Sequence, residues 1–289
     1  MKGLSGYFRF LSERYRILLR RRAGDSPPWT TDPVLQSWRF CNVRREDDRV
    51  TAWFRENIRD HLRDRPQVFF ATTAFRWFNT IDTGSFLRPY LLGDNWNRDE
   101  IEAELTRRKD AGQTIFTSAF MVNSAPGKPK HVDVLDNLDW ARENVLMSDL
   151  RRAGTKEEMM TLVSRIPRLG NFAAYQIVVD LQYTYLLEGA PDLNTFTVAG
   201  PGCAKGIGLC FHDDPDRYSY GRKAHQQTML DLMREALAAS RDPKHWNPDW
   251  PTFVLSDIEN GFCEYAKWRT GHAGSRLKRT YNPEEANAL

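Results

Sequence analysis

Residues 166–175 (IPRLGNFAAY) have the composition of a phosphate-binding turn between two helices. Apolar helix-forming residues precede this segment and a helix rich in small residues follows it, while Pro167 and Gly170 mark the turn. A turn of this kind directs the free N–H groups at the start of the second helix towards a phosphate oxygen, and the helix dipole favours the negative charge. We therefore predict phosphate contacts at Arg168, Gly170 and Asn171. The alternative is an ordinary corner between two packed helices.

The same segment resembles the helix-hairpin-helix of DNA glycosylases, whose usual form is Leu-Pro-Gly-x-Gly; here Arg168 replaces the first glycine. The resemblance implies a catalytic aspartate in the loop that opens the next helix, and Asp192 lies 22 residues after Gly170. A fixed carboxylate can stabilise the positive charge that develops on the sugar as an N-glycosidic bond breaks. Bifunctional glycosylases carry a lysine after the hairpin glycine, where this chain has Asn171, so the resemblance implies a monofunctional enzyme. The alternative for Asp192 is a turn residue that follows a proline.

A dense run of charge stands beside apolar residues at residues 38–51 (WRFCNVRREDDRVT). Charge beside a core needs either mutual pairing or a ligand. In a pocket, Asn42 can pair with a base edge, arginines can hold phosphate or a polar base substituent, and Asp47 or Asp48 can accept hydrogen bonds from hydroxyls. The predicted pocket residues are Phe40, Asn42, Arg44, Asp47, Asp48 and Arg49. The alternative is an internal ion-pair network that joins two helices.

This run, preceded by residues 27–33 (PPWTTDP), resembles the signature of the helical domain of 5-hydroxymethyluracil DNA kinases, which also occurs in proteins described as DNA base hypermodification proteins. Residues 198–206 (VAGPGCAKG) and 256–267 (SDIENGFCEYAK) extend the resemblance, which spans about residues 10 to 270. The chain has no G-x-x-x-x-G-K-[ST] phosphate loop, because glycine follows Lys205. Kinase activity within this chain is therefore not expected from its motifs.

Two of these segments add candidate residues. The glycine-rich segment can form a nest of amides with Gly202 and Lys205 on a DNA phosphate, or merely a tight corner between helices. In the last segment the resemblance favours Asp257 and Glu259 as substrate-binding residues, while surface ion pairing is the simpler account.

Composition limits the class of protein. With 289 residues, 41% of them hydrophobic and 27% charged, the chain can bury a core and is not a disordered or fibrous protein. We found neither a membrane span nor a signal peptide, and we expect a cytoplasmic protein. The 4 cysteines and 6 histidines show no zinc spacing, so we expect no metal and no cofactor.

Apolar residues recur at helical spacing almost throughout, which predicts an all-α protein. Residues 123–132 (NSAPGKPKHV) contain proline, glycine and lysine and are the best candidate for a hinge. We predict a helix-hairpin-helix DNA glycosylase-like fold with two helical subdomains around a DNA-binding cleft, at 1–125 and 133–270, and a basic flexible tail at 271–289. The predicted helices include 4–22, 35–62, 67–79, 98–111, 136–152, 155–164, 171–187, 222–239 and 252–268.

Three functions follow from these resemblances. The leading hypothesis is a DNA glycosylase that flips a bulky hypermodified pyrimidine, such as glucosylated 5-hydroxymethylcytosine, out of double-stranded phage DNA and hydrolyses its bond to deoxyribose. Such an activity would leave an abasic site and serve in anti-phage defence. The alternative is a DNA base hypermodification transferase acting on 5-hydroxymethyluracil in DNA. The third hypothesis is a non-catalytic DNA-binding module that works with a separate kinase.

Overall fold

A computed structural model describes residues 2–93, 95–117 and 124–275, with the side chains from residue 3 onwards. The regular elements in these ranges are helical and include no strand, which confirms the all-α prediction. The α-helices there are α1 (Lys2–Arg22), α2 (Pro33–Ser37), α3 (Arg49–Phe54), α4 (Asp60–Leu62), α5 (Val68–Phe78), α6 (Ile81–Leu92), α7 (Arg98–Asp110), α8 (Lys130–Asn144), α9 (Met147–Arg152), α10 (Lys156–Val163), α11 (Asn171–Leu181), α12 (Pro201–His212), α13 (Lys223–Ala239) and α14 (Leu255–His272). The glycosylase-like arrangement of helices stays a prediction.

The helices group into two compact units. Residues 2–48 and 197–275 belong to the first unit, and Arg49–Phe196 forms the second. The chain therefore leaves the first unit and returns to it, a grouping that differs from the sequential subdomains 1–125 and 133–270 expected above. The reason is the packing of α1 against α12 and α14, which brings both ends of the described chain into one core.

The core of the first unit depends on close contact between α12 and α14. Tyr7 from α1 stacks on Phe262 with ring centroids 4.2 Å apart, and its hydroxyl donates to the carbonyl of Ile258 at 3.1 Å. A Cβ atom on Gly206 would lie 1.9 Å from the carbonyl oxygen of Phe262, so only glycine permits this helix spacing. The glycine-rich segment expected to be a loop is thus mostly helical, because α12 begins at Pro201 and uses its glycines for packing.

The second unit has its own aromatic core and a buried ion pair. Phe54 and Phe75 stack with centroids 4.4 Å apart. Arg76 of α5 donates to the carboxylate of Asp180 of α11 at 2.6 Å, with both side chains almost fully buried. Removing either partner would cost the other a buried charge-assisted hydrogen bond, so this pair ties α5 to α11.

Several predicted helices are observed close to their expected ends, but others are not. The predicted helix at 136–152 is two helices, α8 and α9, which are separated at residues 145–146. The predicted helix at 35–62 is wrong for residues 38–48: α2 stops at Ser37, a short 3-10 turn covers Arg45–Asp47, and α3 begins at Arg49. The predicted helix at 171–187 ends early, at Leu181. The predicted tail at 271–289 begins inside α14, which runs to His272, and residues 276–289 lie outside the described residues. Most of the expected hinge, from 124, is described, and α8 begins within it at Lys130.

In the described ranges, no helix combines the length and the apolar character that crossing a bilayer requires.

Gly206→Ala should destabilise the protein, because the new methyl group would press on the Phe262 backbone. We expect the free energy of unfolding to fall by about 1–3 kcal/mol, the usual cost of overpacking a core. Chemical denaturation of the purified variant measures this loss. Gly221→Ala is the control, because nothing lies within 4 Å of a Cβ at that position; equal stability of the two variants would contradict the packing argument.

Candidate functional site

The charged run forms a loop, residues 38–48, whose backbone N–H groups bind carboxylates. Asp48 Oδ1 accepts from the N–H of Asn42 at 2.7 Å. On α14, Glu264 accepts from the N–H of Cys41 at 2.8 Å, and Asp257 Oδ1 is 3.4 Å from the N–H of Arg45. A backbone without helical hydrogen bonds needs such acceptors when it lies against a core. The two segments that resemble the kinase signature therefore meet at this loop, which we call the charged loop.

Arg14 of α1 holds the same loop from its carbonyl side. Its guanidinium donates to the carbonyl oxygens of Phe40 and Cys41 at 3.3 and 3.0 Å and lies 3.5 Å from Asn42 Oδ1. The Phe40 ring lies between two cations, with the Arg14 guanidinium carbon 5.7 Å and the Lys267 ammonium 5.0 Å from its centroid. The predicted substrate-binding Phe40 is therefore a packing partner in the described contacts.

The side-chain amide of Asn42 is also used within the loop. Its nitrogen donates to the carbonyl of Asp47 at 2.6 Å, and its oxygen faces Arg14. These contacts are those expected of the internal network, the alternative to a base-binding pocket. Arg44 precedes the 3-10 turn and its charge lies near Asp257. Arg49 is exposed at the first position of α3.

The two adjacent aspartates of the loop differ in their partners. Asp47 Oδ1 forms an ion pair with Arg22 at 2.8 Å, whereas its Oδ2 is buried and has no hydrogen-bond partner among the described residues. Asp48 is half-buried, and burial raises its pKa to about 7, with the nearby Glu264 charge acting in the same direction. A carboxyl group with a pKa near neutral pH can exchange a proton with a substrate.

The other two predicted carboxylates cap helices. Asp257 Oδ2 accepts from the N–H of Val254 at the start of α14, and burial raises the pKa of Asp257 to about 6. Glu259 is buried and accepts from the N–H of Gly200 at the start of α12, at 3.3 Å. Both residues therefore stabilise helix starts in the first unit, which is a sufficient reason for carboxylates at these positions.

In the second unit, residues 164–170 connect α10 to α11, and we call this connection the hairpin. Arg168 adopts a left-handed backbone with φ of 63°, at the place where the glycosylase pattern has glycine. Gly170 precedes α11 with φ of −66°, and a Cβ there would meet nothing within 4 Å. Asn171 begins α11, and Arg168, Gly170, Asn171 and Phe172 are exposed together.

Asp192 lies near this hairpin in sequence but is bound to a different helix start. Its Oδ1 accepts from the N–H of Lys156 at 2.8 Å, and its Oδ2 accepts from the N–H of Glu157 at 3.1 Å. Both carboxylate oxygens therefore cap the first turn of α10. Two residues were predicted in the glycine-rich segment. Lys205 is exposed on α12. A Cβ atom on Gly202 would lie 2.4 Å from Cys263 Sγ, so glycine at this position allows close packing of α12 and α14.

Comparison with known proteins identifies the family. The family described as "5-hmdU DNA kinase, helical domain" matches residues 2–276. The chain belongs to this family. A curated relative, the "5-hmdU DNA kinase" of Bacillus phage SP10, is 30% identical over 236 residues. That alignment covers 72% of this chain and 36% of the relative, so the chain spans little more than a third of the kinase it matches. No solved structure matches the chain.

These findings overturn the glycosylase hypothesis. The family and its phage relative are described as DNA kinases, which transfer a group and do not hydrolyse a glycosidic bond, so the expected monofunctional hydrolase is wrong. The antiviral role inferred from base excision falls with it. In the structure, the Asp192 carboxylate, which was expected to stabilise the positive charge on the sugar, accepts hydrogen bonds from two backbone amides of α10.

Sequence reasoning missed two residues that hold the charged loop. Glu264 lies in the segment 256–267 but is not among the predicted site residues. Arg14 was overlooked although it lies three residues after Leu11 and four before Leu18, on the apolar stripe of α1. An arginine on a stripe that must be buried is itself a signal, since it requires acceptors at that depth.

The protein should lose stability as the pH rises from about 4 to about 7. In this range the folded chain keeps a proton on Asp48 that the unfolded chain, with an ordinary pKa of 3.8, has released. Chemical denaturation at pH 5 and pH 8 measures the difference. Asp48→Asn removes the titrating group while its amide oxygen can still accept from Asn42, so this variant should show a smaller decline. Asp231→Asn, an exposed acid on α13, is the control and should decline like the wild type.

Proposed function

We propose that this chain acts on 5-hydroxymethyluracil in DNA, as the helical domain of a base-modifying transferase. The reaction is transfer of a phosphoryl group to the hydroxymethyl oxygen, by analogy with the name of its phage relative. The observation that carries the proposal is the meeting of the two family segments at the charged loop, where Glu264 and Asp257 bind backbone N–H groups of residues 41 and 45. Residues far apart in sequence are thus fixed around one surface.

The charged loop offers an acceptor suited to a substrate hydroxyl. Asp48, with its pKa of about 7, can take the proton of the hydroxymethyl group as that oxygen attacks the phosphorus atom. A new oxygen–phosphorus bond forms, the bond from phosphorus to the donor's leaving oxygen breaks, and the proton passes to the carboxylate.

The residues of this chain fit binding of the DNA, which accepts the phosphoryl group, better than binding of the molecule that donates it. The sequence has no G-x-x-x-x-G-K-[ST] motif. The described part of the chain has no group of three or more His, Cys, Asp or Glu arranged to hold a metal ion. We therefore derive no step through a loop-bound nucleotide or metal, and assign to this chain recognition of the DNA and removal of the hydroxyl proton.

The hairpin supplies a DNA contact in this proposal. The N–H groups of residues 171–173 have no intrahelical acceptor, because the first helical bond of α11 runs from Ala174 to Gly170. Arg165 and Arg168 are exposed beside them, so phosphate oxygens would meet both N–H donors and guanidinium groups. Double-stranded DNA is the expected partner, and Phe172, with 38% of its surface exposed, offers an aromatic face next to it.

The transfer reaction is tested by incubating the protein with duplex DNA containing 5-hydroxymethyluracil, with ATP and with the part of the phage kinase that this chain does not match, then digesting the DNA to nucleosides. We expect a modified nucleoside of higher mass with its deoxyribose bond intact. Asp48→Asn should lower the rate by about 10²–10⁴, the usual contribution of a general base, with DNA affinity unchanged. In the wild type the rate should rise from pH 6 to pH 8, as Asp48 loses its proton.

The Asp231→Asn variant serves as the control for this assay and should keep the wild-type rate. Release of free base would contradict the proposal. The proposal would also be contradicted if the nucleoside stayed unmodified and the protein bound hydroxymethylated and unmodified DNA with equal affinity.

The DNA contact of the hairpin is tested by Arg168→Gly. Glycine suits the left-handed backbone at this position, so the turn should be kept while the guanidinium is removed. We expect an unchanged or higher melting temperature together with DNA affinity lowered by about threefold to tenfold, the effect of losing one phosphate contact. Fluorescence anisotropy with a labelled duplex at low and high salt measures this. Unaltered affinity and an unaltered salt dependence would exclude Arg168 from the interface.

A further inference from the structure

A groove of about 640 Å³ lies in the first unit, lined by residues of α1, α12 and α14 and of the turn that follows α12. Its volume is in the range of small-ligand sites. The charged, histidine and aromatic side chains named here among its lining residues are basic or aromatic except for one acid: Arg9, His212, Tyr265, Trp268, Arg269, His272 and the acid Asp213. None of them belongs to the charged loop or to the hairpin, so the proposed function leaves this groove unexplained.

The groove carries positive charge that the described residues do not balance. Arg9 is exposed, with its guanidinium carbon 6.0 Å from the Trp268 ring centroid, and no carboxylate of the described residues forms an ion pair with it. Arg269 is held in place by the Tyr265 hydroxyl at 3.1 Å and by Asp213 at 2.5 Å. One arginine is thus neutralised and positioned, whereas Arg9 remains available to an anion.

The walls of the groove are shaped by two glycines of α1. A Cβ on Gly3 would lie 1.7 Å from the carbonyl oxygen of Cys210, and a Cβ on Gly6 would lie 3.4 Å from the Tyr265 hydroxyl. Gly3 therefore lets α1 lie close to α12, and the missing side chain of Gly6 leaves space beside the Tyr265 hydroxyl. Phe211 adds apolar surface beside this space. The result is an apolar wall next to an unbalanced guanidinium.

We propose that this groove binds a phosphorylated small molecule of nucleotide size. Its phosphates would pair with Arg9 beside Arg269, and its uncharged part would lie against Leu209 and Phe211, which are partly exposed in the groove. A DNA strand is another source of phosphate, but strand binding uses an extended series of basic residues. Here the uncompensated charge is concentrated on one arginine at a groove of limited volume, which favours a free ligand.

Isothermal titration calorimetry of the whole chain tests the proposal, with ATP as the probe and no DNA present. Arg9→Ala should weaken ATP binding about tenfold or more, as expected for loss of a charge-assisted contact. Arg16→Ala is a matched control: Arg16 is also exposed on α1 and also lies over a tryptophan, 5.7 Å from the Trp250 centroid, but it does not line the groove. This control should bind ATP like the wild type.

Adenosine, which lacks phosphate, should bind about tenfold more weakly than ATP if the phosphates are recognised. Arg9→Glu should weaken ATP binding more than Arg9→Ala, and unchanged melting temperatures would show that both variants fold. The proposal is wrong if the wild type binds no ATP at millimolar concentration, if adenosine binds equally well, or if the Arg9 and Arg16 variants behave alike. It is also wrong if Arg9→Ala weakens binding of a DNA duplex and leaves ATP binding unchanged. Because the ATP titrations contain no DNA, their failure would leave the transfer experiment unaffected.

Discussion

The first unit depends on hydrogen bonds from a non-helical backbone to carboxylates. Residues 38–48 leave the helical pattern, and their N–H groups would be unsatisfied against the core without Asp48, Asp257 and Glu264. Burying an unpaired amide costs about as much as a lost hydrogen bond, so the loop and α14 must form together. This requirement also explains why Arg14, on a third element, binds the carbonyl side of the same loop.

Holding a loop with carboxylates has an electrostatic consequence. The acids lie in partly or fully buried surroundings, which raises the pKa values of Asp48 and Asp257 to about 7 and about 6. The same arrangement that stabilises the loop therefore makes it sensitive to pH. Asp48 accepts a backbone hydrogen bond at Oδ1, and the proposed proton transfer would use the same carboxyl group.

The two units expose different side chains at their surfaces. The second unit exposes a hairpin with free helix N–H groups, two arginines and a phenylalanine, while the first unit holds the charged loop and the Arg9 groove. Many of the carboxylates near these features are bound to backbone amides, as with Asp192 on α10 and Glu259 on α12. These acids stabilise helix starts, and several basic side chains remain exposed at the surface.

The sequence alone determined the helical class, many of the helix ends, the hairpin before α11 and the family, because each depends on local periodicity, turn residues or a contiguous motif. It did not determine which residues meet. A helical period cannot show that residues 38–48 leave the helix, since the acceptors that permit this lie more than 200 positions away on α14. The sequence also could not show that Asp192 caps α10. The spacing between Asp192 and the hairpin gives a position in the chain but not the groups that donate to the carboxylate. Only the tertiary structure decided these contacts, since a carboxylate's role is set by the donors around it.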